Sequence, residues 1–180
     1  MLVWAARYGR EGIMSRDEIA STRRSRVGRH IVRGFRPENL RAARLSANNG
    51  RAVEVRDLAR VSGVGMTTIR NWESGESVPQ VDKLRKIAEV LGISVPMDEL
   101  IDVPRAERSP TDWRALFGLL QPTLGRIVGI ETTTVGHIES GVRVPKPEQA
   151  AAIAKVYGIS VDEFMECFER ARRRPLDSGY

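Results

Sequence analysis

The feature that most constrains the fold is an ungapped internal repeat at an offset of 66 residues. Residues 63–95 and 129–161 are identical at 15 of 33 positions, and both segments contain Glu-Ser-Gly, then Val-Pro, and end in Gly-Ile-Ser-Val. Two copies are too few for a solenoid, which needs three or more stacked repeats. Each copy with its flanks is about 60 residues long, which is enough for a small helical domain. The chain of 180 residues is therefore predicted to contain two related domains.

The spacing of apolar residues predicts an all-α fold with two small five-helix domains. No window alternates apolar and polar residues over the length of a strand. Apolar residues at helical spacing, with glycines and prolines as terminators, predict first-copy helices that begin at Pro37 and continue near 55–62, 66–73, 80–91 and 96–101. In the second copy the predicted helices are near 111–118, 121–128, 132–139, 146–157 and 161–173. Leu40, Ala43, Ile69 and Trp72 are expected to face inward, with Leu45 as a further candidate.

Composition shifts along the chain predict five segments. The linker between the copies, DVPRAERSP, is charged, holds two prolines and lacks periodicity. We predict a basic arm at 1–35, a first copy at 36–101, a linker at 102–110, a second copy at 111–174 and a tail at 175–180. If fully extended, the nine linker residues span at most about 30 Å.

Several classes of protein are excluded by what the sequence lacks. The single cysteine, Cys167, excludes a disulfide framework and a cysteine-rich zinc site, and its place after Phe164 predicts a buried structural thiol. His30 and His137 are far apart, and no metal spacing, phosphate loop or nucleophile elbow occurs, so we expect no enzyme, no cofactor and no metal. The opening run MLVWAA is too short for a signal peptide, and no stretch approaches the ~20 apolar residues of a membrane span. A soluble, cytoplasmic protein is expected.

The repeated segments carry a family resemblance. VEVRDLARVSGVGMTTIRNWESGESVP and LQPTLGRIVGIETTTVGHIESGVRVP both resemble the Cro/CI-type (XRE-family) helix-turn-helix domain of phage repressors. The resemblance covers roughly 36–101 and 111–166. It implies a nucleoid-associated transcriptional regulator that binds double-stranded DNA sequence-specifically, a repressor of the phage or mobile-element immunity type. The alternative is a protein-binding module such as an antitoxin or antiactivator.

The resemblance places base-reading residues on the second helix of each motif, the recognition helix. In the first copy these are Met66, Thr67, Arg70 and Asn71. Arginine can bind guanine O6 and N7, asparagine can bridge adenine, and methionine or threonine can touch a thymine methyl group. A solvated helix face is the alternative. The matching residues of the second copy are Thr132, Thr133 and His137, together with a Gly136 that has no side chain to read with.

Other polar residues are candidates for phosphate or minor-groove contacts. In the family a glutamine commonly begins the first helix of the motif; the second copy keeps it as Gln121, whereas the first copy has Val55. Further candidates are Arg51, Arg56, Thr68, Ser74, Ser140 and Arg143. Residues 1–36 hold nine arginines and three acids, which accounts for the whole net charge of +6. A basic arm of this kind can enter the minor groove or follow phosphates through Arg23, Arg24, Arg26, Arg29, Arg33 and Arg36. A solvated tail and an extra helix over 19–32 are the alternatives.

Charge distinguishes the two copies. Residues 111–166 have five basic and seven acidic residues, and Glu131 precedes the second recognition helix. The second copy is therefore expected to bind DNA more weakly, or to serve as a dimerisation or protein-partner module, with a homodimer held through the second copy or the C-terminal helix. Glu73 and Glu139 are interpreted as structural residues that bind the N–H groups of the following loop, since phosphate repels a carboxylate. Gly63 and Gly129 are interpreted as helix terminators that also let the paired helices cross closely.

Overall fold

The computed structural model of the chain describes residues 32–173. This part of the chain is all-helical apart from one isolated antiparallel bridge, between Phe35 and Ile101. The first copy contains α1 (Pro37–Gly50), α2 (Val55–Ser62), α3 (Met66–Glu73) and α4 (Val81–Leu91). A 3₁₀ turn (Arg105–Glu107) follows, and the second copy contains α5 (Pro110–Leu116), α6 (Gln121–Val128), α7 (Thr132–Glu139), α8 (Pro147–Tyr157) and α9 (Val161–Arg172). No helix among the described residues is long and apolar enough to cross a membrane.

The turn inside each motif is set by one glycine. Gly63 ends α2 at φ 70° and Gly129 ends α6 at φ 72°, a left-handed conformation that a side chain disfavours. The expectation that these glycines allow close helix crossing is wrong, because a Cβ at either position would meet nothing within 4 Å. The close approach is at Gly125 instead, where a Cβ would lie 2.6 Å from the Ile130 carbonyl oxygen. Helices α6 and α7 therefore pack across Gly125.

The core confirms most of the predicted inward residues. Leu40 and Ile69 are fully buried and Trp72 is 3% exposed. Leu45 is 47% exposed, so it is not a core residue. The face of α1 that packs inward includes Arg44 instead, one of the few buried charged side chains in the described part of the chain. Apolar periodicity could not show this, because arginine counts as polar in the pattern.

The predicted fifth helix of the first copy is replaced by turns. Residues 96–101 form hydrogen-bonded turns in which the Leu100 and Ile101 N–H groups both donate to the Met97 carbonyl oxygen. Two backbone groups of this segment bond to residues outside it: the Met97 N–H donates to Leu116 O at 2.8 Å, and Leu100 O accepts from the Arg36 N–H at 3.0 Å. These bonds to distant segments take the place of a helical ladder.

The segment between the copies is folded rather than extended. It forms the 3₁₀ turn and then Ser109, whose hydroxyl and backbone N–H form a reciprocal cap with Asp112 at the start of α5. Val103 is buried, and the Arg108 guanidinium pairs with Asp98 and donates to the Val103 carbonyl oxygen at 3.0 Å. The span of about 30 Å that applies to an extended linker therefore does not describe this molecule.

Both copies contribute to one continuous apolar core. The cluster includes Leu84 and Ile87 of the first copy and Trp113 and Leu116 of the second. Arg85 donates to the Phe117 carbonyl oxygen at 2.9 Å, which ties α4 to the end of α5. The sequence places the arm boundary at residue 35, but Val32 is only 2% exposed and the Asp102 N–H donates to Gly34 O at 2.8 Å. Packed structure therefore begins no later than Val32.

The C-terminal helix buries the lone thiol. Cys167 is fully buried on α9, and its Sγ donates to the Phe164 carbonyl oxygen at 3.0 Å, so the prediction of a structural thiol is confirmed. Burial raises the pKa of the thiol to about 12, because a thiolate would lose its hydration there. The group is therefore protonated at neutral pH and is a poor nucleophile.

Candidate nucleic-acid interface

Helix α3 has one face in the core and one face in solvent. Ile69 and Trp72 hold the buried face against α1 and α2. Met66 (42% exposed), Thr67 and Arg70 lie on the exposed face. Because residues four apart on a helix are neighbours, Met66 and Arg70 lie side by side. The structure therefore brings these three predicted base-reading residues to one accessible surface.

Arg70 is the most prominent cation of this surface. It forms no ion pair with any residue between Val32 and Arg173, so its guanidinium donors are available to a ligand. Asn71 is half-buried, and its backbone carbonyl oxygen accepts from the Ser77 N–H at 3.1 Å and from the Ser74 hydroxyl at 3.3 Å. The N-cap of α3 is Gly65, which offers no side chain to the first-turn N–H groups. Such a helix start favours an anion.

The predicted phosphate contacts of the first copy are accessible. Arg51, Arg56 and Ser74 are exposed, and Thr68 is half-buried. Two arm residues form ion pairs within the protein: Arg33 lies 3.2 Å from Asp112, and Arg36 lies 2.8 Å from Asp102. Both arginines are partly exposed, and their contact with DNA stays a prediction. The remaining arm candidates, Arg23, Arg24, Arg26 and Arg29, lie outside the described residues.

A buried ion pair fixes the end of each recognition helix. In the first copy the Arg44 Nε donates to Glu73 Oε1 at 2.6 Å and its Nη2 donates to Oε2 at 2.9 Å. The third donor, Nη1, bonds the Val53 carbonyl oxygen just before α2. The hydrogen bond to Glu73 raises the pKa of Arg44, against a smaller lowering by burial. The structural role predicted for the glutamates is consistent with this, but the partner of Glu73 is a guanidinium rather than loop N–H groups.

The second copy repeats this arrangement with deeper burial. Arg114 is fully buried, and its Nε and Nη2 donate to the two oxygens of Glu139 at 2.5 and 3.2 Å. Its Nη1 donates to the Leu119 carbonyl oxygen at 2.7 Å. In addition, Gln121 Nε2 donates to Glu139 Oε2 at 2.8 Å. The arginines were missed at the sequence level, because they lie outside the segment in which the copies align without gaps.

The exposed face of α7 is chemically different from that of α3. Thr132, Thr133 and His137 are exposed, and the Thr133 hydroxyl donates to Glu131 at 3.4 Å. Gly136 occupies the position that corresponds to Arg70. The phosphate candidates Ser140 and Arg143 are exposed; the Ser140 hydroxyl donates to Gly136 O at 2.8 Å, and Arg143 donates to the Thr134 hydroxyl at 3.3 Å. This face carries hydroxyl groups and an imidazole, and α7 contains no arginine.

Comparison with known proteins agrees with this geometry. A family model described as helix-turn-helix matches the chain twice, at residues 40–97 and 112–164, which together are more than half of its length. The chain therefore belongs to the helix-turn-helix family and carries two XRE-type domains in tandem. Domains of this kind are DNA-binding regulator domains. Comparisons with curated proteins and with solved structures returned no significant match.

Proposed function

We propose that the protein is a repressor that binds double-stranded DNA sequence-specifically, and that its first copy supplies most of the base contacts. The observation that supports this most is the presentation of α3, whose core face is held by Ile69 and Trp72 while Arg70 projects without an ion pair among the described residues. A recognition helix lies in the major groove with its N-terminal residues at base edges. Arg70 can then bind a guanine, with Met66 and Thr67 beside it.

Repression follows from occupancy. A protein seated in the major groove of a promoter excludes polymerase from the same DNA. The Cro/CI resemblance of the repeated segments supports a phage or mobile-element immunity repressor as the biological setting. The protein acts in the cytoplasm, at the nucleoid, under this proposal.

The test is a binding titration against two kinds of duplex. One is the DNA upstream of the protein's own reading frame, and the other is a pool of duplexes of random sequence. We expect selective enrichment from the pool, with log K falling linearly as log salt concentration rises. Equal affinity for every duplex, or no binding at low salt, would contradict the proposal.

The differences between the two recognition helices determine which kind of DNA site a single chain can read. Because the recognition helices differ at three of four reading positions, one chain cannot read a palindrome with both copies. We propose that a single chain, with helix-turn-helix units at 36–101 and 111–174, binds an asymmetric site longer than one helical turn, about 34 Å. The rival geometry is a homodimer, held through the second copy or α9, on an inverted repeat.

The mass of the complex on its selected site separates these geometries. One chain per asymmetric duplex supports the tandem arrangement. Two chains on an inverted repeat would contradict the tandem arrangement and support the homodimer.

A specific observation favours a second role for the second copy. Its loop after α7 exposes Val142 (76%), where the first copy has Glu76; the exposed Ile127 and Val144 have exposed counterparts in the first copy, Val61 and Val78. Apolar exposure combined with the acidic balance of residues 111–166 suits a protein partner better than phosphate. Under this alternative the second copy is an antitoxin-like or antiactivator-like module. Replacing Val142 and Val144 with serine then abolishes partner binding but leaves DNA affinity unchanged.

A further inference from the structure

The two copies differ by a reciprocal exchange of side-chain size at two positions that lie next to each other in the second copy. At the start of the first motif helix the first copy has Val55 and the second has Gln121. On the recognition helix the first copy has Arg70 and the second has Gly136. The first copy thus has a small residue at the first position and a large one at the second, and the second copy has the reverse.

The structure shows that the glutamine fills the space over the glycine. A Cβ built at Gly136 would lie 3.6 Å from Gln121 Nε2, 3.9 Å from its Oε1 and 4.0 Å from its Cδ. All three are ordinary van der Waals distances, so the carboxamide lies against α7 where the side chain of residue 136 would begin. Gln121 is half-buried, and its neighbours on this face, Thr133 and His137, are exposed.

The buried ion pair orients this carboxamide. Glu139 can only accept hydrogen bonds when ionised, so the group that faces it must be the Gln121 amide nitrogen, 2.8 Å away. Glu139 is itself held by Arg114, which is fully buried. The amide nitrogen has a second hydrogen and the amide oxygen has its lone pairs. One amide hydrogen and the lone pairs of the amide oxygen therefore remain for a ligand.

We propose that Gln121 is a base-reading residue of the second copy and that its carboxamide binds an adenine. A glutamine carboxamide pairs with adenine through its N6 amino group and N7, which present a donor and an acceptor in the major groove. This inference rests on the proposed DNA-binding function, and it changes the role expected of Gln121 from a phosphate contact to a determinant of specificity.

The experiment measures base preference rather than affinity alone. Wild type, Gln121→Met and the control Val55→Met are each used to select from a pool of randomised duplexes. We expect Gln121→Met to lower the preference for adenine at one base pair roughly tenfold. Preferences elsewhere in the site stay unchanged, and the control keeps the adenine. Uniform weakening across all sequences would identify a phosphate contact and overturn the proposal, as would an unchanged preference.

A double variant decides the question if Gln121→Met disturbs the fold, which circular dichroism will show. Gln121→Val with Gly136→Arg installs the residue pair of the first copy. We expect the preference at that base pair to change from adenine to guanine; a retained adenine overturns the proposal. If the wild type selects no sequence at all, the proposed DNA-binding function fails as well. If the wild type selects a sequence and the variants select the same one, only the role of Gln121 fails.

Discussion

At the scale of single residues, Arg44 and Arg114 are charged side chains that the fold buries. Removing a guanidinium from water costs several kcal/mol even after relaxation, so each needs a partner that returns most of that energy. Bidentate pairing with Glu73 or Glu139, plus a backbone carbonyl oxygen, provides it. The pairs join the last turn of each recognition helix to the first helix of its copy.

Removing one partner should therefore be severe. Glu139→Ala leaves the guanidinium of Arg114 buried without its carboxylate, and we expect the free energy of unfolding to fall by about 3–5 kcal/mol. Urea denaturation measures this. The matched control is Asp57→Ala, which breaks the exposed pair between Asp57 and Arg60 and should cost less than about 1 kcal/mol. Similar losses in both variants would contradict a special role for the buried pair.

The exposed arginine of α3 leads to a prediction about specificity. Arg70→Ala removes the guanidinium from the reading face without touching Ile69 or Trp72. We expect specific affinity to fall by about 1–3 kcal/mol and the preference at one base pair to relax. Selection from a randomised site library measures both. Lys86→Ala removes one exposed charge from α4 and should leave the preference intact; if Arg70→Ala behaves in the same way, Arg70 does not read a base.

At the scale of helices and turns, local signals and tertiary contacts each set different boundaries. Helices α2, α3, α6 and α7 begin and end where the sequence predicts. A glycine with positive φ lies at the C-cap of each helix or one residue beyond it, and this signal acts through neighbouring residues. Gly118 is different. It follows α5 at φ 64°, and a Cβ there would lie 2.8 Å from the Cβ of Arg85, on a helix of the other copy. This turn has no room for a side chain.

A pair of glycine variants separates local strain from tertiary contact. Gly129→Ala introduces only the left-handed backbone penalty, roughly 1–2 kcal/mol, since its surroundings are open. Gly118→Ala adds a collision with Arg85 to the same penalty and should destabilise the protein more. Thermal unfolding of both variants measures the difference. Equal melting temperatures would show that Arg85 moves aside at the junction between α4 and α5 without a loss of stability.

At the scale of the whole molecule, the two copies are joined through a packed junction. Residues 93–119 contribute buried apolar side chains to the common core, and hydrogen bonds cross from Met97 to Leu116 and from Arg85 to Phe117. The ion pair of Arg108 with Asp98 adds to this junction. A duplex that contacts both copies must therefore accommodate one preset arrangement of the two motifs.

The basic arm can be tested apart from this fold. Deleting residues 1–30 removes seven of the nine arginines of the N-terminal segment and leaves Val32 and everything after it. We expect DNA affinity to fall and the slope of log K against log salt concentration to become shallower by about 0.9 per lost phosphate contact. A cooperative thermal unfolding transition should show that the remaining chain is folded. A slope equal to that of the full chain would mean that the arm makes no phosphate contact.

Much of the fold could be predicted because its signals are local or repeated. The repeat at an offset of 66 indicates two copies of one domain, and glycine and proline terminators mark the helix ends. The prediction of a fifth helix near 96–101 was wrong: the segment forms only turns closed on the Met97 carbonyl oxygen, and the Met97 N–H and the Leu100 carbonyl oxygen bond to distant segments. An apolar pattern records which residues avoid water, but it does not record which partner a backbone group will find.

The sequence by itself determined the helix-turn-helix class, the asymmetry of the two recognition helices and the location of the excess charge. Only the tertiary structure decided that Arg44 and Arg114 are buried, that Arg33 and Arg36 pair with carboxylates, and that the linker is packed. Only the tertiary structure decided, too, that Gln121 lies over Gly136. The physical reason is that helix propensity, capping and charge act over a few neighbours along the chain. Whether a charged or polar side chain leaves water depends on partners 15 to 79 positions away, which only the packed chain brings within hydrogen-bond distance.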